Sequence, residues 1–156
     1  MKVFEISERP DLIEESIKFY WNQWGTSENF EFYKDSMVHS VNPDIDLSKF
    51  YILLKENRII GSYALLRNDL ISRQDLFPWV GCLYVIPEER GEGLGGLLLQ
   101  EATQQARLKG YSKIYLCTSH EGYYEKYGWE FYGTGYYFNG EPTRIYSKTI
   151  LELSRK

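Results

Sequence analysis

The sequence predicts an α/β (α+β) fold, one mixed sheet with helices on both faces, and three features carry that expectation. Short apolar, β-branched and aromatic runs of strand length recur along the 156 residues, with helical spacings between them. One run, Trp79 to Ile86, is stopped by Pro87 and passes through a glycine-rich stretch into helical spacing at Leu97, Leu98, Leu99, Ala102 and Ala106. The next run, Ser112 to Thr118, follows that helix, and a strand-helix-strand connection of this length is a right-handed parallel crossover. The carboxyl ends of those two strands form the natural crevice for a ligand.

The elements follow in order. Lys2 to Ile6 reads as a first strand. Pro10 and Asp11 open a helix carrying Leu12, Ile13, Ile17, Tyr20, Trp21 and Trp24, stopped by Gly25. A second helix starts between Ser27 and Phe30 and runs through Phe32, Tyr33, Met37 and Val38 to about Val41. Asn42 to Ser48 is loop. Lys49–Lys55 and Arg58–Leu66 are apolar runs around the polar pair Glu56-Asn57, a hairpin signal. Asn68 to Pro78 connects to the central strand, and a polar loop on a rigid sheet is a common carrier of function. The helix after the glycines ends at Lys109-Gly110, a basic last turn and a glycine cap. After the fifth strand, Ser119-His120-Glu121-Gly122 is a break and Tyr123 to Tyr127 a short helix. Trp129–Phe138 and Thr143–Leu151 close the chain as an antiparallel pair.

Length and composition bound the function. The chain has the size of a single domain, taken as residues 1–156, with no repeats and no low-complexity tracts. A net charge of −4, with no Lys/Arg run longer than two, argues against a nucleic-acid partner and fits a neutral or cationic one. Cys82 and Cys117 both sit in apolar strand patterns, as reduced thiols do, which implies a reducing cytoplasm. Neither a signal-peptide core at the N-terminus nor an apolar run long enough to span a bilayer occurs, so no membrane partner is expected. Aromatics reach 17% of residues, among them 14 Tyr and 4 Trp, enough to line an acceptor cleft as well as a core.

Arg90-Gly91-Glu92-Gly93-Leu94-Gly95-Gly96 puts four glycines between a strand and a helix. A helix start leaves about four N–H groups without intrahelical partners, and the macrodipole adds roughly half a positive charge there. With side chains missing at Gly91, Gly93, Gly95 and Gly96, a phosphate or pyrophosphate can rest on the backbone, with Arg90 adding charge. No Lys-Ser/Thr pair follows, which rules out a Walker A loop. Gly91, Gly93 and Gly96 nearly spell a dinucleotide fingerprint, but the following strand ends in Cys117-Thr118-Ser119-His120, without the acidic residue that fingerprint requires.

The stretch resembles the acetyl-CoA loop of the GCN5-related N-acetyltransferase (GNAT) family: Arg or Gln, two residues, Gly, one residue, then Gly or Ala. Arg90, Gly93 and Gly95 fill it, and Leu83-Tyr84-Val85-Ile86-Pro87-Glu88-Glu89 is similar to the strand and hydrophobic-Pro-Glu exit that precede it. Gly122-Tyr123-Tyr124-Glu125-Lys126-Tyr127-Gly128-Trp129 resembles the family's C-terminal motif, with Trp129 where Phe is commonest. The resemblance covers Phe50 to Phe131. It implies a single-domain GNAT-like sheet, mostly antiparallel, with a parallel pair of fourth and fifth strands splayed around the cofactor. It also implies that backbone groups of Leu83, Tyr84 and Val85 bond the pantetheine arm, and that the Arg90-Gly91-Glu92-Gly93-Leu94-Gly95-Gly96 loop binds the pyrophosphate of acetyl-CoA. The family usually has Asn shortly before the short helix; here Ser119-His120-Glu121-Gly122 occupies that region.

Acetyl transfer needs an amine and a thioester held in reach, a base for the amine's proton and an acid for the leaving thiolate, but no metal. By resemblance Tyr124 is the general acid, and a phenol of pKa about 10 can share its proton with a thiol of about 8.5. Many family members carry a Glu on the fourth strand; this one has no acid there. His120 is the first candidate base by pKa and place, with Glu121, Asp75 or a water chain as others. Direct transfer in a ternary complex is expected, because neither Cys82 nor Cys117 has a neighbouring charge to lower its pKa and make it an acyl carrier. The alternative is a CoA-binding or sensor domain that transfers nothing. The acceptor is expected to be a small amine or a peptide N-terminus, met by Trp21, Trp24, Tyr33 and the Asn68 to Pro78 loop. A homodimer is left open.

Overall fold

The computed structural model describes residues 1–150, so the predicted last strand loses Leu151, which lies outside the described residues. Its seven strands are β1 (Lys2–Glu5), β2 (Lys49–Lys55), β3 (Arg58–Leu66), β4 (Trp79–Val85), β5 (Lys113–Thr118), β6 (Glu130–Tyr136) and β7 (Pro142–Thr149). The helices are α1 (Ile13–Trp24), α2 (Phe30–His39) and α3 (Leu94–Leu108). Strand order is β1-β2-β3-β4-β5-β7-β6. The sheet is antiparallel at β1–β2, β5–β7 and β6–β7 and parallel at β4–β5, where Trp79 registers with Tyr115. The described residues form two compact units, 1–64 with 82–98, and 65–81 with 99–150.

In the first unit, Ile6, Ile17, Tyr20, Met37, Ile52, Leu53, Ile60 and Tyr63 are buried. The β2–β3 turn places Glu56 at φ 54 and Asn57 at φ 63, the left-handed pair that matches the strand twist of a two-residue hairpin. The Tyr20 hydroxyl of α1 lies 2.7 Å from the carbonyls of both Tyr51 and Tyr63 and accepts from the Tyr51 N–H at 3.2 Å. A single phenol thus fixes α1 on the hairpin. The buried Lys49 ammonium donates to the carbonyls of Ser40 and Asn42 at 2.8 and 2.9 Å, so the end of α2 is capped by the first residue of β2.

In the second unit, β7 sits between β5 and β6, with Ile114↔Lys148 and Thr134↔Arg144 among the paired residues. Ile71, Leu76, Trp79, Tyr115 and Ile145 form its packed cluster, and the Trp79 indole N–H donates to the Leu76 carbonyl at 2.6 Å. The predicted connecting loop is therefore not loose. Asn68 closes a turn by accepting from Ile71 N–H at 3.1 Å and donating to its carbonyl at 3.2 Å. Beyond it, Ile71 bridges Tyr137, Ser72 N–H donates to Tyr136 O at 2.9 Å, and Tyr136 N–H donates to Ser72 Oγ at 2.9 Å. The loop is laced to the end of β6.

Two element readings change. Helix α3 begins at Leu94, inside the glycine run rather than after it, because Leu94 and Leu98 are both buried and anchor a first turn that Gly95 and Gly96 alone would not favour. The short helix after β5 is a 3₁₀ turn, Tyr124–Tyr127, with Tyr123 preceding it and Gly128 at φ 86 ending it.

Candidate active site

The predicted cofactor residues lie in the first unit, and the predicted general acid Tyr124 and candidate base His120 in the second. On β4, Leu83, Tyr84 and Val85 are half-buried. Just before them Cys82 takes φ 52, a left-handed conformation costly for a non-glycine residue, and its carbonyl accepts from Ser62 Oγ at 2.8 Å. Such an irregularity inside a strand redirects the residues that follow, as a bulge does. Nothing in the sequence marks Cys82 for this, since glycine or asparagine would be the usual signal. The Tyr84 ring is held edge-on by Phe19 and Trp24 at 5.9 and 6.1 Å. Gly61 lets this part of β4 approach, because a Cβ there would stand 3.0 Å from the Tyr84 carbonyl.

After β4 a 3₁₀ turn, Pro87–Glu89, is tied to the hairpin by Arg58–Glu88 at 2.9 Å and Lys55–Glu89 at 2.8 Å. Gly91 and Gly93 then take φ 87 and 76, where an L side chain would be strained, and a Cβ on either would meet nothing within 4 Å. The first bond of α3 runs from Leu97 N–H to Gly93 O at 3.1 Å. The N–H groups of Leu94, Gly95 and Gly96 therefore have no partner within the helix. Backbone donors at a helix start, beside glycines that face open space, fit a pyrophosphate. Glu92 is exposed. Arg90 is placed differently from expectation: its Nε–H donates to Val85 O at 2.8 Å and its guanidinium lies 5.3 Å from the Tyr84 ring centre. It braces the end of β4.

In the second unit Tyr124 is half-buried, packed edge-on against Tyr123 at 4.9 Å and tilted toward Tyr146 at 6.2 Å. Burial raises its phenol pKa, partly offset by a hydrogen bond with the Thr118 side chain, so the proton stays on the oxygen. Thr118, at the end of β5, also accepts from His120 N–H at 3.0 Å. His120 itself is exposed. Of the other proposed bases, Glu121 pairs with Arg144 at 3.3 Å. Asp75 is chelated by Arg73 at 2.9 and 2.8 Å, a hydrogen-bonded pairing that lowers its pKa and weakens it as a base.

Asp69 was not among the sequence candidates. It belongs to the same loop as Asp75, and its carboxylate turns inward, 3.0 Å from where a Cβ on Gly81 would be. It accepts from the Cys117 thiol at 3.7 Å, and the Tyr137 hydroxyl lies 3.7 Å from that sulfur and 3.2 Å from Thr143 Oγ1. Desolvation pushes the Asp69 carboxyl up to about 6, with the thiol bond a partial offset. Burial, then the nearby Asp69 charge, pushes the Cys117 thiol up to about 12. A thiol of that kind is no nucleophile at neutral pH.

Among the described residues no cluster of His, Cys, Asp and Glu is arranged to hold a metal ion, and no helix is long and apolar enough to cross a membrane. Comparison with solved structures shows the fold. An aminoglycoside 6'-N-acetyltransferase crystallised with coenzyme A superposes with a TM-score of 0.71 at 16% identity, covering 99% of this chain and 100% of that one. The aminoglycoside 6'-N-acetyltransferase from Enterococcus faecium gives 0.69 at 17% identity over 99% and 100%. A GNAT family acetyltransferase from Elizabethkingia anophelis with acetyl-CoA bound gives 0.57 at 19% identity over 80% and 83%. No curated protein matches the sequence. The family model described as acetyltransferase (GNAT) domain matches residues 46–131, more than half of the chain and nearly the span over which the two motifs were read. The chain belongs to the GNAT acetyltransferases.

Proposed function

We propose that this acetyl-CoA-dependent N-acetyltransferase moves the acetyl group directly to an amine bound at the same time. The observation that carries the cofactor half is the pair Gly91 and Gly93, left-handed and open, leading into N–H groups of Leu94, Gly95 and Gly96 that have no partner within α3. Those N–H groups would hold the pyrophosphate, and the backbone of Leu83, Tyr84 and Val85 the pantetheine arm, as an added strand. Acetyl-CoA supplies a thioester already activated for attack. Tyr124, kept protonated by its half-buried setting and steadied by Thr118, donates to the departing sulfur. The raised Cys117 thiol supports direct transfer over a covalent acyl-cysteine.

The acceptor is an amine. The aminoglycoside acetyltransferases among the structural neighbours share the fold, and the net charge of −4 suits a cationic acceptor, so amino sugars head the panel, followed by simple amines and peptide N-termini. The test is thiol release from acetyl-CoA with that panel. Steady release with at least one amine is expected; CoA binding with no amine-dependent release identifies a non-catalytic sensor instead.

A further inference from the structure

The chain has no acid on β4, yet it places a carboxylate against that strand. Gly81 has no side chain, and a Cβ added there would stand 2.8 Å from Leu66 and 3.0 and 3.3 Å from the Asp69 carboxyl atoms. The space a β4 side chain would fill is thus occupied by a carboxyl delivered from the loop between β3 and β4. That delivery is built. Asn68 fixes the turn on one side, Leu70 takes φ 56 on the other, and Ile71 and Ser72 bind the loop to Tyr137 and Tyr136. A non-glycine residue held left-handed next to an inward carboxylate is a local cost that the surrounding bonds maintain.

The groups facing Asp69 are Cys117 from β5 and Tyr137 from the end of the β6–β7 hairpin, both neutral at pH 7, with Gly81 from β4 and Leu66 from β3. Among the described residues no lysine or arginine forms an ion pair with it. A half-buried carboxylate whose bonding partner is a thiol has its charge poorly satisfied, which is the condition for taking a proton.

We propose that Asp69 is the general base, receiving the acceptor's ammonium proton. This rests on the acetyl-transfer reading above and names the proton acceptor within it. The N–H bond of the ammonium breaks as an O–H bond forms on Asp69, and the freed nitrogen lone pair makes the N–C bond to the acetyl carbon. The C–S bond breaks, its electron pair takes the Tyr124 proton, and the amine's second proton restores the phenol. Asp69 then releases its proton to solvent, so each turnover yields amide, thiol and one proton. The carboxyl held near 6 is ionised at neutral pH and still a far better base than an ordinary aspartate.

The experiment is the pH profile of kcat/KM for the wild type, Asp69→Asn, Asp69→Glu and His120→Ala, with CoA titration and circular dichroism on each. The wild type should lose activity below an apparent pKa near 6. Asp69→Asn should be folded, bind CoA as before, lose about 10²- to 10⁴-fold in kcat and lose the acidic limb, while His120→Ala keeps that limb. Asp69→Glu should recover part of the rate. If Asp69→Asn keeps the limb, or if the limb disappears in His120→Ala instead, Asp69 is not the base and the acetyltransferase reading stands. If the wild type acetylates no amine at any pH, both fall.

Discussion

Arg90 bonds back to the strand that leads into it: its Nε–H meets Val85 O at 2.8 Å while the guanidinium rests over Tyr84. The loop that follows therefore starts from a braced position. Arg90→Lys keeps the charge but replaces the planar fork with a point donor, so it cannot both bond Val85 and stack on the ring. CoA affinity is expected to fall about 3- to 10-fold in Arg90→Lys and further in Arg90→Ala, measured by titration calorimetry. Equal affinities in Arg90→Lys and the wild type would mean that only charge matters at this position.

Gly93 separates conformation from charge at the anion site. At φ 76 with open space around it, Gly93→Ala meets no clash and carries only the left-handed penalty, about 1–2 kcal/mol. Gly93→Asp adds a carboxylate at the helix start, where a carboxylate favours the empty helix and opposes a bound phosphate. The Asp variant should bind CoA at least about tenfold more weakly than the Ala variant, or about 1.4 kcal/mol, with the gap narrowing in high salt. Identical titrations for the two would remove the pyrophosphate from this loop.

The parts of the fold set by local pattern were legible, and those set by distant chain were not. Lys49–Lys55 and Arg58–Leu66 were read to their observed bounds because Glu56-Asn57 interrupts two apolar runs. The start of α3 was read three residues late, since propensity ruled out glycines that burial of Leu94 and Leu98 brings into the helix. For the site, the glycine spacing of the Arg90 to Gly96 loop shows directly in a sequence, and the Tyr124 turn stands out by its resemblance to the family's C-terminal motif. Asp69 does not. Its role depends on Gly81, twelve residues on, carrying no side chain, and on Cys117 from β5, whereas Asp75 of the same loop is neutralised by Arg73. Likewise the Cys82 kink comes from the strand's surroundings, with Ser62 taking its carbonyl.

Asp69 should also show in stability. Its carboxyl titrates near 6 in the folded chain, above the unfolded value of about 3.9, so the folded state binds that proton more tightly. The charge therefore costs stability above pH 6, and the cost fades as pH falls toward 4. Asp69→Asn is expected to be more stable than the wild type at pH 7.5, by on the order of 1–3 kcal/mol, with the difference closing near pH 4. Urea midpoints at the two pH values measure it. A variant less stable at pH 7.5 would show that the ionised carboxylate is a structural bond and not a strained functional group.

Tyr124 is the sharpest test of the transfer step. Tyr124→Phe removes one oxygen and its bond with Thr118, while the ring keeps its edge contact with Tyr123 and its neighbour Tyr146. If the hydroxyl protonates the leaving thiolate, kcat should fall by about 10²- to 10⁴-fold with little change in CoA affinity. Tyr123→Phe is the control: it precedes the 3₁₀ turn, where successive residues differ by roughly 120°, and it loses a hydroxyl bonded to Tyr127 while its ring keeps its contacts with Tyr124 and Tyr127. Because burial raises the Tyr124 phenol, the donor stays protonated through the neutral and mildly alkaline range, and no loss of activity below about pH 10 should trace to its ionisation. A Tyr124→Phe enzyme within about twofold of wild type, under 1 kcal/mol, or a larger loss in Tyr123→Phe, would transfer the proton donor's role to another group.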